Sequence, residues 1–207
     1  MDQPEQILEV WFADVVARPE SLAARFDYWF GSEEDTVDSI RARDEWLAHR
    51  FLHDVELAST GKLDGWTLQP RGRLALILLI DQFRRNIFRG TAQAFSHDRQ
   101  ALELAMTGLR LGDDEKLAHA ERLFFYMPFQ HSESSAVQEQ SVKLFERLVT
   151  EATPVVKPVF ENVLRYARMH RDIIQQFGRF PLRNRMLGRA NTPAELAFVS
   201  KSANDFS

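Results

Sequence analysis

His131 stands in the run Pro128-Phe129-Gln130-His131-Ser132-Glu133, just ahead of a stretch with helical periodicity. Imidazole is the side chain whose ordinary pKa lies nearest neutral pH, so it can accept or return a proton there. Glu133, two residues on, could orient it. His131 and Glu133 are therefore the candidate catalytic pair, general base and orienting carboxylate of a hydrolase-like reaction. The same corner has a simpler reading, in which the backbone N–H groups of a helix start attract an anion and the carboxylate caps the helix. Two arginine groups supply the other chemistry. Residues 82–97 hold Arg84, Arg85 and Arg89 without an acid, and residues 173–194 hold Arg179, Arg183, Arg185 and Arg189 without an acid. A guanidinium is a planar fork of donors that matches a carboxylate or phosphate, and a buried one left unpaired costs several kcal/mol.

Two fates for these arginines follow. Internal ion pairs to acids such as Asp27, Asp81, Glu133 or Asp172 would make them structural. An open pocket would make Arg85, Arg179 and Arg183 clamps for a small anion or the carboxylate end of a partner chain, with Asn86 and Asn184 orienting it and Arg189 beside them. A nucleic-acid patch is not expected, because both groups lack lysine and stacking aromatics. His170 lies on the apolar stripe of a long periodic segment and reads as a hydrogen-bonded core histidine unless it faces His131. His131, Glu133 and a distant His170 do not have the spacing of a metal set, so no metal is assigned. With no cysteine in the chain, thiolate zinc sites, iron–sulfur ligation and cysteine nucleophiles are excluded. No phosphate loop, dinucleotide fingerprint or nucleophile elbow is present, and no cofactor is expected.

The elements that must carry these groups are helices. Nine glycines and eight prolines in 207 residues fall between stretches of 3.6-residue apolar period. Helices are predicted over 4–16, 19–30, 33–59, 71–89, 98–109, 113–127, 132–152 and 155–177, with a last short one opened by Thr192, Pro193 and Glu195. Leu74 to Ile80 is apolar all round and marks the central helix. Pro128 is expected to end the helix before it, and Ser135 with Gln138 to form a capping box. Trp66 falls in a loop where it could wall a cleft. A net charge of −4 gives the molecule no general attraction for nucleic acid or anionic membrane. The acidic start and the short aliphatic runs predict neither a secretion signal nor a membrane span, and point to the cytoplasm. Hairpins of helices, bundled or stacked, are the expected arrangement over 1–207 as a single all-α domain of eight to nine helices; oligomeric state is not legible.

Three segments carry a resemblance: Asp81 through Gly90, Phe124 through Glu133, and Phe177 through Arg189. With Val10-Trp11-Phe12 and the turn Gly61 to Trp66, the chain resembles the bacterial domain-of-unknown-function family 924 over nearly its whole length. The resemblance implies stacked antiparallel hairpins of tetratricopeptide-like architecture and implies little about activity. It departs from the family pattern at Arg84, Leu182 and Ala194, where proline, histidine and an acid are usual. The matching positions Arg85, Asn86, His131, Glu133, Arg179, Arg183, Asn184 and Arg189 suit grasping an anion more than cleaving a bond, with a pure protein-interaction scaffold as the remaining reading.

Overall fold

The computed structural model describes residues 3–205, and within them the chain is all helix and turn. The helices are α1 (Gln3–Phe12), α2 (Leu22–Phe30), α3 (Val37–Ser59), α4 (Pro70–Ile77), α5 (Arg84–Ile87), α6 (Asp98–Arg110), α7 (His119–Gln130), α8 (Ser135–Glu151), α9 (Lys157–Phe177) and α10 (Pro193–Asp205). The all-apolar run lies at the centre, as its lack of a polar face requires: Leu74 through Ile80 are all buried. Around it pack α1, α3, α6 and α7. Beyond this hub α8 packs on α7 and α9 on α8, each helix against its successor, and α2 touches α9. That serial packing is of the hairpin type expected; the four-sided contact of the central helix is a hub.

Differences from the predicted boundaries have local causes. The central helix is not uniform. Between α4 and α5, Leu78–Phe83 widens into a π-helical turn, which rotates the residues after it relative to a plain α-helix. Pro128 does not end α7, which continues to Gln130. Only the N–H that would have reached Phe124 is lost so near the terminus, and the last turn is closed by the His131 N–H donating to the Met127 carbonyl at 3.1 Å. No capping box forms between Ser135 and Gln138. Gln138 is fully buried, and its Nε2 instead donates to the carbonyls of Gln130 and Ser132 at 2.8 and 2.7 Å, tying the start of α8 to the end of α7. Thr192 and Glu195 do form the expected reciprocal cap at the start of α10. Gly178 stops α9 at φ +70°, a left-handed conformation that glycine adopts without strain. No described helix is long and apolar enough to cross a membrane.

Gly108 marks the tightest crossing in the hub. A methyl group there would come within 2.5 Å of Arg73 Cδ and 2.6 Å of Phe125 Cζ, and both belong to well-buried side chains. Gly108→Ala is therefore expected to destabilise the fold by about 1–3 kcal/mol despite the better helix propensity of alanine, measurable as a lower midpoint in urea unfolding.

Candidate functional site

Asp81 leaves the π-turn with no exposed surface. An isolated carboxylate there would be forced toward its neutral form, so its neighbours decide its state. His131 Nδ1 lies 2.7 Å from Asp81 Oδ1, Arg85 Nη2 donates to the same oxygen at 3.2 Å, and Gln82 Nε2 donates to Oδ2 at 2.5 Å. Burial alone would raise the Asp81 pKa; the His131 and Arg85 charges and the hydrogen bonds bring it well below the usual carboxylate range. Arg85 Nε also lies 3.3 Å from His131 Nδ1, but one nitrogen cannot both donate to the carboxylate and accept from the guanidinium. The shorter, charge-assisted contact assigns the proton to Nδ1, donating to Asp81. Nε2 is then the basic nitrogen, and it makes no hydrogen bond among the described residues. Burial, then the Arg85 charge, lowers the His131 pKa while Asp81 opposes them, so the ring is neutral at pH 7.

His131 borders a partly enclosed cavity of about 350 Å³. Phe26, Phe30, Met127 and Val163 supply its apolar wall; Gln130, Tyr166 and His170 supply polar edges. The C-terminal ends of α2 and α7 thus meet the middle of α9. His170 does face the cavity that His131 faces, so it is not merely a core histidine. Burial, then the charges at His131 and Arg183, push its pKa down to about 3. One ring nitrogen is hydrogen-bonded to the Gln130 backbone, and buried Nδ1 has no partner.

Most of the predicted arginines have partners inside the protein. Arg85 also bonds Asp98 at 2.8 Å, and Arg183 bonds the other Asp98 oxygen at 3.1 Å and the His131 carbonyl at 3.1 Å. Arg183 lies between the rings of Phe95 and Phe180, where burial and Arg85 bring its pKa down to about 10. Arg179 makes two bonds to Glu195, at 2.6 and 2.8 Å, and Arg89 two to Asp44, at 2.6 and 3.1 Å. Arg84 bonds Ser59, the Gln93 carbonyl and Ser96. Asp81 and Glu133 are partners as expected, whereas Asp172 pairs with its neighbour Arg171.

Glu133 does not orient His131. Its carboxylate holds Arg189 through both oxygens, at 2.7 and 3.0 Å, and accepts the Phe180 N–H at 2.9 Å. Burial would raise the Glu133 pKa, and these bonds bring it below its ordinary value. Residue 133 has already passed the turn at Ser132, which carries its side chain to the loop after α9; the carboxylate that meets the imidazole comes from another helix. Nor do Asn86 and Asn184 flank one ligand. Asn184 is fully buried, donating to Asn191 at 2.6 Å and accepting from Arg189 Nε at 2.8 Å, which organises the loop from Gly178 to Asn191. Asn86 lines a separate cavity of about 520 Å³ beside α3, with Arg89 and Asp44. Trp66 walls a third, near Glu5 and Arg71. Among the described residues no group of three or more metal-ligating side chains occurs.

The profile of a bacterial protein family of unknown function, DUF924, matches residues 7–203. The chain belongs to this family. A similar fold occurs in the solved structure of a protein of unknown function, ATU0120, from Agrobacterium tumefaciens: 34% identity, 92% of this chain and 99% of that chain covered, with a TM-score of 0.72. No curated protein matches this DUF924 member.

The two perturbed histidines fix the pH dependence of stability. His170 titrates near 6.5 when unfolded but is held to about 3 when folded, so below pH 6.5 the unfolded chain takes up a proton that the folded one refuses. The stability is full above pH 6.5 and falls as pH drops, by up to ~1.4 kcal/mol per pH unit for each such group. Glu195, held down to about 2 by Arg179 and the Thr192 amide, acts in the same direction but only below its ordinary 4.5. Denaturant titrations between pH 6.5 and 4.5 should therefore show falling stability, and His170→Gln should flatten that slope by about one proton.

Proposed function

We propose that this DUF924 protein is an enzyme acting on a small molecule, with His131 as general base, Asp81 as the residue that positions it, and the cavity of Phe26, Phe30, Tyr166 and His170 as the substrate site. The observation that carries this reading is the 2.7 Å contact between the imidazole and a carboxylate with no solvent exposure, while the other ring nitrogen is unbonded beside a cavity. A base needs one proton fixed so that the opposite lone pair points at the reacting group, and a buried acceptor at Nδ1 does that. A lowered pKa keeps the lone pair available at pH 7. His131 would take a proton from a bound water as that water attacks an electrophilic carbon, and return it to the leaving group. Arg85 and Asp98 support the geometry through Asp81 and Arg183, a positioning role. Anion clamping by the same arginines is less well supported, because Arg85, Arg179, Arg183 and Arg189 already hold carboxylates.

With p-nitrophenyl acetate as the probe, His131→Asn should lose about 100-fold or more of the protein-dependent hydrolysis rate. The wild-type rate should rise with pH and level off below the ordinary imidazole pKa, since the base form is active and its pKa is lowered. Asp81→Asn should also lose activity by releasing the Nδ1 proton to the other nitrogen, while Glu133→Gln keeps most of it. Equal rates for wild type and folded His131→Asn would overturn the reading.

A further inference from the structure

The chemistry of the cavity wall restricts its ligand, and the restriction rests on reading this cavity as the site of His131. Three carboxylates, Asp81, Asp98 and Glu133, lie in the surrounding network with three guanidinium groups, Arg85, Arg183 and Arg189. Both histidines are neutral at pH 7. The formal charge sums to zero, and each guanidinium is engaged by an acid of the protein, so neither an anion nor a cation gains an unmatched partner by entering.

What the wall does offer is unpaired neutral polarity. Gln130 is buried to 4% exposure, its Oε1 is enclosed without a partner, and its side-chain nitrogen makes no hydrogen bond among the described residues. The neighbouring glutamine Gln138 uses its own amide nitrogen twice, on the carbonyls of Gln130 and Ser132, so unspent donors are not general in this core. His170 Nδ1 is likewise enclosed and unpartnered. Each such group costs about 1–3 kcal/mol when left without a partner, a cost that a stably folded protein carries where a ligand or water completes the bonds. The amide presents a donor and an acceptor side by side in one plane. Beside it lie the rings of Phe26 and Phe30, 4.5 Å apart between centroids, and Phe30 is itself stacked parallel on Phe124. At about 350 Å³ the cavity is at the small end of ligand pockets, sufficient for one ring and its substituent.

We propose that the cavity binds a neutral, single-ring compound bearing a carboxamide or lactam group, whose N–H and C=O pair with the Gln130 amide while its ring lies against Phe26 and Phe30. The pairing is self-complementary, amide on amide, and needs no charge. It places the electrophilic carbonyl carbon on the side of the cavity that His131 borders, which suits attack by a His131-activated water. A carboxylate of the same shape lacks the donor and brings a charge that the balanced network does not match; an amidinium lacks the acceptor and brings the opposite charge.

Benzamide, benzoate and benzamidine are isosteric probes for these three cases. Titrated into the full-length protein at pH 7.5 and followed by shifts of the His131 and His170 ring resonances, benzamide should bind about tenfold or more tighter than either charged analogue. Gln130→Met, similar in volume and free of the unpaired amide, should fold at least as stably as wild type by thermal melting and lose that preference. Tighter binding of benzoate or benzamidine, an unchanged preference in Gln130→Met, or no binding of any probe would overturn the proposal. Loss of p-nitrophenyl acetate hydrolysis in His131→Asn would still stand in those cases, so the failure of this inference and the failure of the general-base reading are distinguishable.

Discussion

A carboxylate at the centre of a helical protein is the constraint around which the C-terminal half is arranged. Asp81 has no contact with solvent, and a lone charge there would cost far more than the fold's net stability. Its two oxygens are met by Gln82 from the same π-turn, Arg85 one turn on, and His131 from the end of α7. Compensation then spreads outward: Arg85 requires Asp98, and Asp98 accepts Arg183 from the loop after α9. The same loop is held at Glu133 by Arg189 and at Glu195 by Arg179. Residues far apart in the chain are thereby tied into one charge-balanced network. Removing one member of such a network strands the others, at a cost of about 3–5 kcal/mol for a buried pair.

The π-turn connects this electrostatic requirement to the fold. An uninterrupted α-helix through Leu78–Phe83 would keep the preceding i, i+4 register and present a different side chain to His131; the wider turn changes the facing of Asp81 and Gln82. Apolar residues on every other side of this segment, against α1, α3, α6 and α7, supply the burial that holds the turn in place. The hub and the network therefore depend on each other. Packing forces the carboxylate indoors, and the carboxylate in turn fixes the tautomer of the histidine at the edge of the cavity.

Sequence pattern alone reveals the helices well because glycine, proline and capping signals coincide with breaks in apolar period, as at Gly178 and at Thr192 with Glu195. His131 is also visible, by residue type and by its place at a helix end. The partner of His131 is not. Glu133 is nearer in sequence, and nothing in a period of 3.6 announces the π-turn that presents Asp81 instead. A single acid inside the run from Leu74 to Phe83 is the available signal, since a carboxylate surrounded by apolar residues must have a dedicated partner. Asn86 and Arg85 are adjacent in the chain yet face different cavities, because consecutive helix residues point about 100° apart. Gln130 escapes notice for another reason: an amide without a partner is a property of three-dimensional surroundings and leaves no mark in composition or spacing.

The tautomer of His131 tests the central claim most directly. Two-bond nitrogen–proton correlation spectra of the histidine-labelled protein at pH 7.5 distinguish a neutral ring protonated at Nδ1 from one protonated at Nε2, and both from an imidazolium. The account predicts the neutral ring with its proton on Nδ1, held by Asp81, and a free lone pair on Nε2. A proton on Nε2, or a fully protonated ring at that pH, would contradict it.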